Sequence, residues 1–139
     1  MGIFANLFKK KPVIELRDPV FGLLTYDQGI WTFLPTKPEG GFMIGVDAPE
    51  AGPTERQRAF FNQVRSELAD YERRARDYLT PRVEPSVTVS RLSTYSVQIG
   101  DDVATQRGEF VLELSDDDAF AVHRVSFSEG QPFEYGCDD

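Results

Sequence analysis

The stretch TERQRAFFNQVRSELADYERRARDYL, residues 54–79, decides the fold because it carries a long amphipathic helix pattern. Thr54 and Gln57 form a Thr-x-x-Gln capping box, which predicts a helix start at this point. Apolar side chains then recur at steps of three and four, in the order Phe60 or Phe61, Val64, Leu68, Tyr71, Ala75 and Tyr78. This spacing predicts one helix of about 25 residues, about 37 Å long, with one buried face. Pro81 cannot continue a helix, so we expect the helix to end before it.

The residues before this helix pattern predict short strands. Three β-prone runs lie at 21–26, 30–34 and 42–46. Turn-forming sequences rich in Gly, Pro and Asp separate these runs, at 27–29 and 35–41. Three short runs with tight connections are typical of an antiparallel meander.

The last third of the chain predicts a second set of strands. Alternating runs lie at 87–99, 108–114 and 119–127, with a short run at 133–135. Phe110, Leu112 and Leu114 share one face of their run, while Glu109 and Glu113 share the other. We therefore expect an α+β fold in a single domain, residues 1–139. It consists of an N-terminal antiparallel meander, one long amphipathic helix and a C-terminal antiparallel sheet, with the helix packed on a sheet face.

The first eleven residues, MGIFANLFKKK, place apolar side chains at helical spacing before three lysines. Two interpretations of residues 1–11 stay open. They form either a short basic helix that packs on the domain, or a segment that contacts a membrane surface or a partner. The membrane contact would be weak, since each lysine contributes roughly 1 kcal/mol near anionic lipid. No apolar run approaches the ~18 residues of a membrane-spanning helix, so we expect no transmembrane segment.

Charge is distributed unevenly along the chain. The 139 residues carry 23 acidic and 15 basic side chains, for a net charge of −8. Residues 1–81 contain 11 of each sign, so the whole acidic excess lies in residues 82–139. A surface with this excess repels nucleic acid and anionic lipid. Two interpretations remain: acidity that keeps a bacterial cytoplasmic domain soluble, and a face complementary to a basic protein partner.

The residue types that carry catalysis or bind metals are sparse. One cysteine excludes an internal disulfide and a multi-thiolate metal site, and one histidine excludes a paired-histidine centre. His123 shares a strand face with apolar residues, which predicts a structural role, and Cys137 lies beside two aspartates that disfavour its thiolate. Asp116, Asp117 and Asp118 lack the spacing, glycine and glutamate of an EF-type calcium loop. We therefore expect no catalytic residue, no metal, no cofactor and no enzymatic activity.

Five short segments form a pattern that spans most of the chain. They are Asp18-Pro-Val-Phe21-Gly22-x-Leu24, Trp31, Gln57-Arg58-Ala59-Phe60, Val125-Ser-Phe127-x-x-Gly130-x-Pro132 and the terminal Asp138-Asp139. Together they resemble an uncharacterised family of small acidic bacterial proteins, some of which are regarded as immunity proteins encoded beside secreted toxins. The resemblance implies such a role by association. It transfers no catalytic residue, because the shared positions are largely turn and core residues.

The sequence thus predicts a non-enzymatic cytoplasmic binding protein, an immunity protein that inhibits a bacterial toxin through an acidic surface. Its partner would be a protein with a basic surface, encoded by a neighbouring gene. Loops and termini present charge without disturbing the core. The candidate partner-binding residues are therefore Asp101, Asp102, Asp116, Asp117, Asp118, Asp138 and Asp139. The alternatives are a housekeeping or regulatory interaction domain whose acidity serves solubility and, third, a small hydrolase.

Overall fold

The computed structural model describes residues 14–27, 30–33, 41–116 and 121–138, with the backbone alone for residues 30–33 and 138. The predicted N-terminal helix of residues 1–11 and the aspartates Asp117, Asp118 and Asp139 lie outside the described residues. The described residues form an α+β fold, as the sequence predicted.

The described strands form one sheet in which spatial order follows chain order. They are β1 (Ile14–Asp18), β2 (Gly22–Asp27), β3 (Ile30–Phe33), β4 (Met43–Asp47), β5 (Ser93–Ile99), β6 (Glu109–Ser115), β7 (Val122–Ser128) and β8 (Gln131–Asp138). Strands β1 to β4 pair antiparallel in the order of a meander, and strands β5 to β8 also pair antiparallel. β4 and β5 are parallel, which joins the two halves into one mixed sheet.

The connection from β4 to β5 carries two helices, as a crossover between parallel strands requires. α1 spans Glu55–Ser66, α2 spans Leu68–Leu79, and a short 3₁₀ turn follows at Val89–Arg91. The predicted capping box at the start of α1 is confirmed. Thr54 Oγ1 accepts a hydrogen bond from the Gln57 N–H at 3.2 Å, and Gln57 Oε1 accepts one from the Thr54 N–H at 2.9 Å.

The prediction of one long helix is not confirmed. Glu67 leaves the helical conformation at φ −113° and ψ 18°, and its N–H is shared between the carbonyls of Gln63 and Val64. α2 begins at the next residue. The spacing of apolar residues could not reveal this break, because both helices keep their buried residues toward the same core: Phe61 and Val64 in α1, Tyr71, Ala75 and Leu79 in α2.

The core lies between these helices and one face of the sheet. Phe61 rather than Phe60 is the fully buried phenylalanine of α1, and its ring lies 4.8 Å from that of Phe21. The Tyr71 ring packs edge-on against Phe110 and Phe127, at 5.0 and 5.4 Å between centroids. Such aromatic pairs add about 0.5–1.5 kcal/mol each beyond the area that they bury. The aromatic contacts therefore fix both helices on one sheet face.

Asp18 ties the end of β1 to α1. Its carboxylate is buried, and it accepts hydrogen bonds from the N–H groups of Val20 and Phe21 and from Arg58 Nε at 2.7 Å. Burial alone would raise the pKa of Asp18. The hydrogen bonds from Phe21, Arg58 and Val20 outweigh burial and hold this pKa below its usual value.

Glu72 ties α2 to β5 in the same way. Its carboxylate accepts a hydrogen bond from Thr94 Oγ1 at 2.7 Å and an ion-paired one from Arg76 at 2.5 Å. Burial opposes ionisation of Glu72, but the bonds from Thr94 and Arg76 prevail, so its pKa also lies below the usual value. Both carboxylates therefore stabilise the fold in their ionised form.

Four features of the strands and short helices differ from the prediction. β1 was not predicted, and residues 87–92 contain the 3₁₀ turn rather than the start of a strand. A short helix α3 (Asp102–Gln106) follows β5 where an acidic loop was expected, with Asp101 Oδ1 accepting from the Ala104 N–H at 2.9 Å. β8 has eight residues where three were expected. β1 and β8 are defined by pairing with β2 and β7, which local alternation does not contain, whereas α3 and the 3₁₀ turn are closed by local hydrogen bonds.

Candidate functional site

The sheet has one face covered by α1 and α2 and one face turned away from them. Buried residues such as Val97, Leu112 and Val125 point toward the helices, so their strand neighbours point the other way. Register defines two complete rows on this opposite face from β4 to β8. One row holds Met43, Ser96, Glu113, Arg124 and Gly136, and the next holds Gly45, Gln98, Val111, Ser126 and Glu134. We call these rows, with the row described next, the open face.

The third row of the open face lies at the edge where β4 and β5 end. Val46, Ile99 and Phe110 are paired partners that point toward the core. One position further out, Asp47, Gly100 and Glu109 therefore lie side by side and point to the open face. Together the rows carry four carboxylates, from Asp47, Glu109, Glu113 and Glu134, and one guanidinium, from Arg124.

A cavity of about 290 Å³ opens on this edge, and we call it the sheet-end cavity. Its lining includes Asp47, Gln98, Ala104, Glu109, Val111 and Phe133. The Phe133 ring is 53% exposed, which is unusual for a phenylalanine in a small domain. Val103, on α3 at the same end, and Ile14, on β1, are the other exposed large apolar side chains among the described residues. The cavity thus combines apolar walls with two carboxylates.

A hydrogen-bonded group of side chains extends from the cavity across the open face. Gln98 Nε2 donates to Ser96 Oγ at 3.0 Å and to Glu113 Oε1 at 3.4 Å, and Ser96 Oγ donates to the same glutamate. The Gln98 amide lies directly over Gly45, where a Cβ would overlap it at 2.0 Å. The glycine therefore leaves room for the amide, and the face stays shallow at its centre.

Gln57 fixes the backbone beneath the sheet-end cavity. Its side-chain amide is 1% exposed and donates from Nε2 to the carbonyl of Asp47 at 2.7 Å and to that of Gly100 at 2.8 Å. These two carbonyls belong to the ends of the parallel strands β4 and β5. One side chain of α1 thus holds both strand ends, which supply Asp47 and Gly100 to the cavity lining.

The predicted partner-binding aspartates do not form one patch. Asp101 and Asp102 lie at the sheet-end cavity's edge of the sheet, where the exposed Asp101 caps α3 and Asp102 accepts a hydrogen bond from Thr54 Oγ1 at 2.5 Å. Asp116 and Asp138 lie at the opposite edge, because Ser115, Val122 and Asp138 are paired across β6, β7 and β8. Asp116 is half-buried and paired with Arg91 at 3.3 Å.

His123 lines a separate cavity of about 380 Å³ on the helix-covered face. It is 3% exposed, and Nδ1 lies 3.2 Å from the hydroxyl oxygen of Tyr135, with the two rings stacked. The predicted position of His123 on an apolar strand face is confirmed, since it lies on the same side of β7 as the buried Val125 and Phe127. Cys137 is its cross-strand partner and is exposed. Among the described residues, no group of three or more His, Cys, Asp or Glu is arranged to hold a metal ion.

None of the helices in the described ranges is long and apolar enough to cross a membrane. Comparison with protein-family models, with curated proteins and with solved structures finds no match. The resemblance of the five segments quoted above therefore stays a prediction.

Sequence reasoning placed Glu109 and Glu113 on the strand face opposite the core but did not connect them with a site. It missed Asp47, Gln98 and Phe133. The alternation of β6 contained part of the pattern, since Glu109 and Glu113 alternate with the buried Phe110, Leu112 and Leu114. The position of Asp47 beside Gly100 could not be read from the chain, because it depends on the parallel pairing of two strands that are some fifty residues apart.

Proposed function

We propose that this chain is a non-enzymatic binding protein whose open face docks on a basic surface of a protein partner. The observation that carries the proposal is the sheet-end cavity, in which the exposed Phe133 lies beside Asp47 and Glu109. Interfaces typically place an apolar or aromatic group at the centre and charges around it. The open face has this composition, with four carboxylates against one guanidinium.

The charge of the open face favours fast and selective association. Like-signed carboxylates attract a basic surface over about 8 Å at physiological salt and repel acidic competitors. Asp101 is exposed at the same edge and adds to this field. The strongly basic helix residues do not compensate for it, since Arg73, Arg74 and Arg76 are engaged in ion pairs with carboxylates of their own helix.

Within this class, we propose that the protein is a cytoplasmic immunity protein and that its partner is a bacterial toxin encoded by a neighbouring gene. A toxin that acts on an anionic substrate needs a basic cleft, and a carboxylate-rich face that occupies the cleft inhibits it. The confinement of the acidic excess to residues 82–139 supports this assignment, as does the resemblance of the five quoted segments. The exposed Asp101, and Asp116 and Asp138 at the other edge, are the remaining candidates for contact.

The test is kinetic binding to the product of the neighbouring gene, with protection of cells that express this product as a second readout. The variants are Asp47→Asn with Glu109→Gln, Phe133→Ala, and neutralisation of Asp101 or Asp116. Glu15→Gln is the matched control for the cavity, because Glu15 is an exposed carboxylate of the same sheet face but lies on β1, three strands from β4.

We expect the open-face variants to bind at least about ten-fold more weakly, mainly through slower association for the charge variants and faster dissociation for Phe133→Ala. Added salt should slow association of the parent and of the Glu15→Gln control alike. If every open-face variant binds and protects as well as the parent, the open face is not the interface and the acidity serves solubility. In that case Asp116 and the opposite edge become the surface to search.

A further inference from the structure

We infer that the sheet-end cavity receives one arginine side chain of the partner protein, with its guanidinium between Asp47 and Glu109 and its alkyl stem beside Phe133. This inference rests on the proposed function, because it specifies what the partner inserts. The spacing of the carboxylates, the size of the cavity and the rigidity of its frame support it in three steps.

The first step is the spacing of the two carboxylates. Val46 of β4 and Phe110 of β6 both pair with Ile99 of β5, the strand between them. Asp47 follows Val46 and Glu109 precedes Phe110, so the two acidic residues lie on either side of β5. Neighbouring strands are about 4.8 Å apart, so the two acidic residues start about 10 Å apart at the backbone. Gly100 lies between them, and the Ala104 methyl group lies where a side chain of Gly100 would point. The space beyond this methyl group has a carboxylate on each side, and a guanidinium is the planar side-chain cation with donors on both of its edges.

Gly100 also limits what else can fill the gap. A Cβ at this position would lie 2.8 Å from the Ala104 Cβ, so α3 closes directly over the glycine. The methyl group of Ala104 and the side chain of Val111 then form apolar walls next to the carboxylates. An alkyl stem that carries a cation at its tip satisfies both the walls and the charges.

The second step is size. The cavity of about 290 Å³ lies at the lower limit of the range of roughly 300–1,000 Å³ found for small-molecule sites. It is therefore suited to one long side chain rather than to a large ligand. The half-exposed Phe133 ring offers a face on which a guanidinium can stack, which favours arginine over the compact ammonium of lysine.

The third step is rigidity. Gln57 binds the carbonyls of Asp47 and Gly100 at 2.7 and 2.8 Å, so the backbone on the Asp47 side of the gap and at its centre is held before a partner arrives. A preformed frame lowers the entropy lost on binding. Because the clamp uses carbonyl groups, it leaves the Asp47 carboxylate available to the cavity.

The experiment is a titration of the ¹⁵N- and methyl-labelled protein with the capped tripeptide acetyl-Gly-Arg-Gly-amide, followed by NMR. We expect saturable shifts at the Gly100 amide and at the methyl groups of Ala104 and Val111, with a Kd on the order of 1 mM. The corresponding citrulline peptide, which is neutral but of similar shape, should bind about ten-fold more weakly, and the lysine peptide should lie between them. Asp47→Asn and Glu109→Gln should each weaken arginine binding about three-fold. Phe133→Leu should do the same, whereas Phe133→Tyr and the control Glu15→Gln should leave it unchanged.

The outcomes separate this inference from the proposed function. If partner binding depends on the open face but the arginine peptide gives no saturable shift, or binds no better than the citrulline or lysine peptide, the arginine inference is overturned and the proposed function stands. If the peptide binds as expected while neither Asp47→Asn with Glu109→Gln nor Phe133→Ala weakens partner binding, the proposed function fails, and with it the assignment of the cavity to the partner's arginine. Self-association in sedimentation experiments that Asp47→Asn abolishes would show that a second copy of this chain occupies the cavity, and would overturn the inference as well.

Discussion

Replacing Gln57 with alanine should lower the free energy of unfolding by about 2–3 kcal/mol, which is large for a polar residue. The side chain is 1% exposed and makes three hydrogen bonds at once. Its Nε2 donates to the carbonyls at the ends of β4 and β5, and its Oε1 accepts from the Thr54 N–H. No other side chain of α1 reaches both strand ends in the described structure.

The magnitude follows from the groups that lose their partner. Alanine at position 57 removes the amide from the Asp47 carbonyl and the Thr54 N–H, and each buried polar group without a partner costs about 1–3 kcal/mol. The Gly100 carbonyl loses the amide as well, but it keeps a hydrogen bond from Thr105 Oγ1 at 3.3 Å. The vacated space is polar and large enough for a water molecule to replace part of the bonding, so the lower end of that range applies. Two groups at about 1 kcal/mol each, together with lost packing, give the stated value. This is a large part of the 5–15 kcal/mol by which small domains are stable.

The assay is equilibrium unfolding in urea of the parent, Gln57→Ala and Gln63→Ala. Gln63 is the matched control, because it is an exposed glutamine on the same helix, and its substitution should change stability by less than about 0.5 kcal/mol. Gln57→Glu is the second test. A carboxylate facing two carbonyl oxygens has a raised pKa, so this variant should be least destabilised below pH 4 and lose further stability as pH rises. A loss of less than about 1 kcal/mol for Gln57→Ala would refute the view that this amide holds the parallel strand ends.

Three further perturbations test the frame around the site. Thr54→Ala should lower the free energy of unfolding in urea by about 1–2 kcal/mol, because it removes both the helix cap and the hydrogen bond to α3. Thr54→Ser keeps the hydroxyl group and should restore most of the loss. Equal stability of the two variants would contradict this prediction. Folding lowers the pKa values of Asp18 and Glu72, so the unfolded state binds more protons in acid. The free energy of unfolding should therefore be constant above about pH 5 and should fall as the pH drops through the folded pKa values of these two groups. The double variant Asp18→Asn, Glu72→Gln should be less stable at neutral pH, and its free energy of unfolding should fall less steeply in acid. An unchanged slope of this free energy against pH would show that other groups cause the loss of stability. Gly108→Ala should lower the free energy of unfolding by about 1–2 kcal/mol, because φ at this residue is +69° and a Cβ would lie 3.2 Å from the Glu129 nitrogen. A thermal midpoint within error of the parent's would show that this turn tolerates a side chain.

Much of the local structure follows from short patterns in the chain. The Thr54 and Gln57 capping box starts α1 where the sequence predicts, since its bonds join residues three positions apart. The alternation of Phe110 and Leu112 with Glu109 and Glu113 gives β6 its buried and open faces. Side-chain direction in a strand depends only on position along the strand, so a single run of sequence is enough.

The tertiary structure alone decided the candidate site. The same Gln57 that closes the capping box also binds two strand ends, and one of them, at Gly100, is 43 positions away in the chain. The break at Glu67 and the separation of Asp101 from Asp116 likewise depend on how the helices and the sheet fit together. Periodicity records which side of an element is buried, but it carries no information about which strand lies beside which. The parallel pairing of β4 with β5 brings Asp47 beside Glu109, because only the packed core selects that pairing.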